Sequence, residues 1–446
     1  MKKILSVICL SVCCHLTATA QTYTLQQLKD SALHNNIAVR HARHSIEAAQ
    51  QQRKEAFTKF FPNISGMGAW FNANKGMAET SVNPAEVIPQ ELSASLSQML
   101  PAEALAALAS PVSISMMKNG TIASVTVIQP VFAGGQIVNG NKLAKVSEEV
   151  STLQLRLSEN EVEKQTEQYF WQLVTLQEKM KTIDAVEALL HDIYKDVDVA
   201  VRAGVALRND LLQVQLRQNE IESQKVKLQN GIDVVQMLLA QYCGLHNTTF
   251  TISATMNDAG NIQHSSFNIQ CTPEYQLLQK QVEAAKLQKN IEVGKNLPSV
   301  GMGVGYNYHN ILDNNHTFGM VFASVSIPIS DWWGGSHAIK RKKIAQQQAE
   351  EQLADNAELL KIRMQKAWND VNEAYQQVQI AQRSIEQAEE NLRLNRNFYQ
   401  AGTSKMSDLL EAQLLYQQAC DKRIDAYAEL QNKQLEYRQS IGNDTF

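Results

Sequence analysis

The chain has 446 residues, with 45 acidic against 41 basic side chains and a formal net charge of −4. Charge this close to balance excludes a protein built to hold nucleic acid on a basic surface. Hydrophobic residues at 44% supply an extensive core, while 9 prolines and 7% aromatic residues are few for a β-sandwich or an enzyme of this size.

Met1-Lys2-Lys3 gives a positive start, Ile4 to Leu16 an apolar stretch, and Ala18-Thr19-Ala20 the small-x-small pattern of a signal-peptidase site. Residues 1–20 therefore read as a signal peptide, and the chain as exported. An alternative makes Leu10-Ser11-Val12-Cys13 a lipobox acylated at Cys13, for which Val12 fits poorly. Cys9, Cys13 and Cys14 leave with the leader. Cys243, Cys271 and Cys420 remain, an odd and scattered set that reads as buried or inert thiols; a Cys243–Cys271 bridge has no support. After the leader no run approaches the ~20 apolar residues of a spanning helix, which leaves a β-barrel, an acyl anchor or no membrane contact.

A first repeat is predicted over 21–245, with helices at 24–58, 137–202 and 209–242 and strands at 61–71 and 121–132. On the first helix His34, His41 and His44 fall at i, i+7 and i+10. They could form a metal relay, but with no carboxylate or thiol at ligand spacing they read as a solvated face. In the strands, Ser65, Met67, Ala69 and Phe71 alternate weakly, with Trp70 beside them, and Ala123, Val125 and Val127 alternate with Ser124 and Thr126. Residues 72–120 form a long insertion with its own apolar piece, Leu92 to Leu108. A linker, 246–271, leads to a second repeat, 272–446, with helices at 273–295, 337–400 and 407–440 and strands at 297–308 and 318–329. Val300, Met302, Val304, Tyr306 and Tyr308 alternate there with small residues, as do Val321, Ala323, Val325 and Ile327 with Phe322, Ser324 and Ser326. Ala357, Leu360, Met364, Ala367, Val371, Ala374, Val378, Ala381, Ile385, Ala388 and Leu392 form an unbroken heptad seam in the longest helix. Leu143, Val146, Val150, Leu153 and Leu157 start the matching seam of the first repeat.

Three pairs of landmarks recur in the same order. Ala203-Gly204-x5-Asp210-Leu211-Leu212-x-x-Gln215 repeats 198 positions later as Ala401-Gly402-x5-Asp408-Leu409-Leu410-x-x-Gln413. Pro130 with Gly134-Gly135 answers Pro328 with Gly334-Gly335, each at a strand-to-helix transition. Pro62 to Gly68 answers Pro298 to Gly303. The chain reads as one plan written twice. Gly204 and Gly402 stand where a helix should end in a left-handed cap, so each long helix should fold back on a shorter one. Each strand run has about the ~10 residues that a tilted strand needs to cross a bilayer. Four such strands cannot close a barrel, and an open edge is not viable in lipid. Copies of the chain must therefore pool their strands if these segments span a membrane.

Leader, duplicated strand–helix halves, Gly-Gly transitions and Ala-Gly-x5-Asp-Leu-Leu turns together resemble the TolC family of outer-membrane efflux channels. The resemblance implies an α+β membrane protein: a homotrimer with a 12-stranded β-barrel, four strands per chain, set in outer-membrane lipid and continued by a long α-helical barrel in the periplasm of a Gram-negative bacterium. It implies no enzyme chemistry and no cofactor, only passage of substrate from an inner-membrane pump (RND, ABC or MFS type) through a periplasmic adaptor. By the same resemblance, Asp408 and Glu411 line an acidic ring at the periplasmic entrance, and Tyr399 and Asp210 are the candidate latch. Ser404 stands where the family has a basic partner, with Lys405 next to it. The alternatives are a type I protein-secretion channel on the same architecture, or a periplasmic coiled-coil adaptor without a pore. No phosphate loop, nucleophile elbow or Cys/His cluster is present in the sequence.

Overall fold

The computed structural model describes residues 22–89, 92, 100–108, 110–254, 256, 268–311 and 314–442. The leader, its cleavage site and Cys13 lie outside them. The chain divides into two compact units, one of Met1–Gln50, Val146–Glu283 and Gln347–Phe446, the other of Gln51–Lys145 and Ala284–Gln346.

The first unit is helical. Its chain enters through a two-residue strand β1 (Thr22–Tyr23) and helix α1 (Leu25–Asn35). Thr24 caps α1 in a reciprocal capping box with Gln27. The helix expected over 24–58 is broken: Asn36 is extended, with φ −63° and ψ 136°, and α2 runs Ile37–Thr58. Asn36 makes the break. Its side-chain oxygen accepts from the Ala38 amide at 2.9 Å, as an N-cap does, while its amide group donates to the Tyr242 carbonyl. His34 is thereby separated from His41 and His44, so the three imidazoles do not share one helix; contrary to the expectation, a carboxylate does stand one turn from His44, Glu47 at 3.4 Å, but no group of three ligands forms among the described residues.

Long helices α5 (Gln136–Arg202) and α8 (Asp331–Gln400) contribute to both units, and in the first they pack with α6 (Arg208–Cys243) and α9 (Met406–Ser440). Where these helices meet, the seam positions Leu360, Met364, Val371, Ala374, Val378 and Ala381 are buried. One core cluster joins Leu28, Ala32 and Val39 to Phe170, Trp171 and Leu173 of α5 and to Val235 and Leu239 of α6. Another joins Ile183, Leu190 and Val197 of α5 to Val214 and Ile221 of α6 and Met406 and Leu409 of α9. Beyond α6, Phe250 enters the first cluster and meets Tyr23 edge-on, and β6 (Thr251–Ile252) pairs in parallel with β1, so this part of the linker is tied into the core. Cys243 is buried and its thiol is pushed up to about 12 by burial. Cys271 is exposed, and all three cysteines are free.

The second unit holds an antiparallel sheet in the order β2 (Asn63–Asn72), β5 (Asn119–Ala133), β7 (Ser299–Asn310), β8 (His316–Ser326). Among the described residues, the insertion contributes a separate two-stranded ladder, β3 (Ala78–Val82) with β4 (Val112–Met116), and the short helices α3 (Pro84–Val87) and α4 (Ala102–Leu108). Register sets the faces. Ile64, Val127, Val304 and Val321 form one row straight across all four strands. This apolar face is turned out: Ile64 is 69% exposed, Trp70 71% and Val321 81%. The other face carries Gly301, Gly303 and Gly305, and the Phe322 ring covers Gly303 so closely that a Cβ there would meet it at 2.5 Å. The face expected for β2 is reversed. Ile64 and Trp70 share the apolar side, while Met67 and Phe71 lie on the glycine side. The cause is pairing, because register against a partner decides the face of a weakly alternating strand.

At Pro130 the β5–β7 ladder shifts register, as expected where a residue cannot donate to it. Gly134 and Gly135 follow with φ +59° and +78°, turning the strand into α5. A Cβ on Gly134 would lie 2.1 Å from the Gly294 carbonyl oxygen of α7 (Pro273–Lys295), so two backbones touch there. The second transition is built differently. Helix α8 begins at Asp331, not 337, where the Asp331 amide already donates to the Pro328 carbonyl at 3.2 Å and the Trp332 indole donates to the Asn296 carbonyl at 3.0 Å. Gly334 and Gly335 are thus inside the helix rather than in a turn.

Candidate functional site at the paired helical turns

Two tight turns, α5 to α6 and α8 to α9, have the same construction. Gly204 has φ +75° and Gly402 φ +71°. In the first, the Gly204 amide donates to Val201 and the Val205 amide to Ala200; in the second, Gly402 donates to Tyr399 and Thr403 to Phe398. These are the 5→2 and 6→1 bonds of a Schellman motif. Each following helix is then started by the aspartate of the repeated motif. The Leu207 amide donates to Asp210 Oδ2 at 3.3 Å, and the Lys405 amide to Asp408 Oδ2 at 3.2 Å. The spacing Gly-x5-Asp therefore has a structural cause: glycine ends one helix and aspartate begins the next.

Asp408 takes two further bonds, from Ser404 Oγ and Ser407 Oγ at 3.1 Å each. The Lys405 amide first, then the serine hydroxyls, hold its carboxyl below the usual carboxylate range. A depressed value in the folded chain means that Asp408 stabilises the turn above the unfolded carboxylate pKa and ceases to do so as pH falls through its folded value. Acid should therefore loosen the start of α9, and Asp408→Asn should flatten that response in amide hydrogen exchange as the pH is lowered below about 4, the ordinary aspartate value. Unchanged acid sensitivity in the variant would contradict this role. Glu411, one turn on, is exposed like Asp408.

The two turns meet. A cleft of about 730 Å³ is lined by Gly204, Leu207 and Asp210 from the first and by Arg396, Tyr399, Gly402 and Ser404 from the second. Burial first, then the negative charge of Asp210, raises the Tyr399 phenol above its ordinary value. The two latch candidates thus share the cleft, although no hydrogen bond joins them. Ser404 spends its hydroxyl on Asp408, and the basic side chain that lines the cleft is Arg396.

One part of the site was not found from sequence. Arg217 of α6 is buried, and its guanidinium donates to Gln413 Oε1 at 2.9 Å and to Gln417 Oε1 at 2.8 Å, both on α9. Gln417 in turn donates to Gln224 Oε1 at 2.8 Å. Gln413 is 0% exposed, so this polar layer crosses the helix packing just behind the turns. The sequence does carry its signal: Gln413 closes the repeated motif, and Gln417 follows four residues later on the same face.

The outer membrane efflux protein family model matches residues 271–443. No curated protein matches the chain. Among solved structures, the outer membrane protein VceC of Vibrio cholerae is similar with TM-score 0.71 at 12% identity, over 94% of this chain and 96% of that one. The outer membrane channel CmeC of Campylobacter jejuni gives 0.73 at 14% identity over 94% and 85%. CusC, described for its folding and transmembrane channel formation, gives 0.78 at 14% identity over 96% and 95%. In sequence over 271–443, and in fold over nearly all its length, this chain is similar to the outer membrane efflux proteins.

Proposed function

We propose that the protein is the outer-membrane exit duct of a tripartite efflux system, assembled as a homotrimer and passing substrates delivered by an inner-membrane pump and a periplasmic adaptor. The observation that carries this reading is the sheet. Its four strands expose an apolar face, and its outer strands β2 and β8 pair on one side only among the described residues. An apolar face belongs in lipid, and an unpaired edge in lipid is not viable, so three copies close twelve strands into a barrel. No described helix is long and apolar enough to cross a membrane. The paired turns, with the same caps 198 positions apart, support an internal duplication that would make the helical wall as regular as the barrel. Exposed Val205 and Leu207 at the first turn suit contact with the adaptor.

In this assembly, Asp408 and Glu411 of three chains ring the periplasmic entrance, favouring cations and repelling anions. Closure brings the Tyr399 hydroxyl onto the Asp210 carboxylate, a bond worth about 1.5–3 kcal/mol, enough to bias a gate and weak enough for a partner to undo. Tyr399→Phe should therefore raise the basal leak of the closed channel in planar bilayers. Equal conductance of variant and parent would count against the latch. The reading as a whole is tested by fractionation and co-purification. The chain should extract with outer-membrane lipid and bring an adaptor and a pump with it. Release with soluble periplasmic protein would favour an adaptor without a pore, and co-purification with a secreted protein would favour type I secretion.

A further inference from the structure

We propose that His309 and His316 form a two-imidazole site for a divalent transition-metal ion, which pins the ends of β7 and β8 together at their turn. The two residues are direct cross-strand partners, the last pair in the β7–β8 ladder. Both lie on the glycine-bearing face, with Phe318 against each ring at 6.2 and 6.1 Å between centres. The imidazole centres are 5.3 Å apart. Two imidazoles on one tetrahedral zinc, with each nitrogen about 2.0–2.1 Å from the ion and about 1.1 Å from its own ring centre, place those centres roughly 5.2 Å apart. The ring centres thus already stand at the separation that a shared ion requires.

A second observation points the same way. His309 Nδ1 is buried and has no hydrogen-bond partner among the described residues. An orphaned buried nitrogen in a native site calls for a missing partner, such as an ion. Beside the pair, Tyr308 and Asn310 both donate to Asn315 Oδ1, at 2.9 and 3.0 Å, which ties the end of β7 to the turn, while Asn307 Nδ2 on the pair's own face is also without a partner among the described residues. With two imidazoles as its protein ligands among the described residues, the site suits zinc, copper or nickel rather than calcium or magnesium, with water completing the shell. The sequence does not advertise it, because the spacing His309-x6-His316 acquires meaning only once the strands pair.

The test uses the full chain in detergent, with Cys271→Ser to remove the exposed thiol, titrated with zinc chloride by calorimetry. The parent should bind zinc, and His309→Asn and His316→Gln should each weaken that binding at least tenfold, since either loss leaves a single ligand. His316 is exposed, so its replacement leaves the sheet intact. Zinc affinity unchanged in His316→Gln, or no zinc binding by the parent, overturns the proposal. X-ray absorption of the zinc-loaded parent should count two imidazoles per ion; one or none also overturns it. None of these readouts depends on channel assembly.

Discussion

Arg217→Leu should lower the stability of the helical unit by about 3 kcal/mol, read as a loss of denaturant resistance in the helical signal. The expectation follows from what is left behind. Gln413 and Gln417 each give a carbonyl oxygen to the guanidinium. Truncating the arginine strands both acceptors, and Gln413 is out of reach of water. An unpaired buried polar group costs about 1–3 kcal/mol. The nearest carboxylate, Glu220, meets Arg217 at 2.8 Å but is itself 62% exposed, so the buried charge relies on the two amides. If stranded acceptors are the cause, Arg217→Leu with Gln413→Leu should recover part of the loss. A double variant no more stable than the single one would refute this account. Arg217 also links α6 to α9 just behind the two turns, so the single variant should weaken the coupling between them.

The second large effect is expected at the strand-to-helix turn. Gly134→Ala should cost about 3 kcal/mol or more, because two penalties coincide. The residue has φ +59°, and its new methyl would fall 2.1 Å from a backbone oxygen of Gly294, which cannot swing aside as a side chain can. Gly402→Ala is the control. Its φ is +71°, yet nothing lies within 4 Å of the added carbon. It should cost only about 1 kcal/mol, the conformational term alone. The ratio of the two, measured by thermal unfolding, separates backbone contact from backbone conformation. Equal costs would mean that the Gly134–Gly294 approach contributes nothing.

Patterns of period 3.5 and period 2 made the mixed helical and strand character legible, because burial acts on each residue separately. Leu360, Met364, Val371 and Val378 are buried where an apolar seam should be. What escaped was decided between distant segments. The interruption at Asn36 is not legible locally, since the side chain that makes the break finds its second partner at Tyr242. The face of β2 depended on which residues of β5 it meets. Gly334 and Gly335 imitate the Gly134-Gly135 pair in sequence, but only the first pair needs positive φ. At the turns, glycine and aspartate could be read as signals, whereas the reason for the aspartate emerged from its bond to the N-cap amide. Arg217 acquires its role only through α9, which brings Gln413 and Gln417 to its guanidinium.

Native mass spectrometry of the protein extracted from outer-membrane fractions in mild detergent tests the account where it is most exposed. A sheet with an apolar outer face and two open edges should be found only in closed assemblies, so the account predicts a species of three chains that persists on mild heating. A single chain, stable and detergent-free in the aqueous fraction, would contradict it.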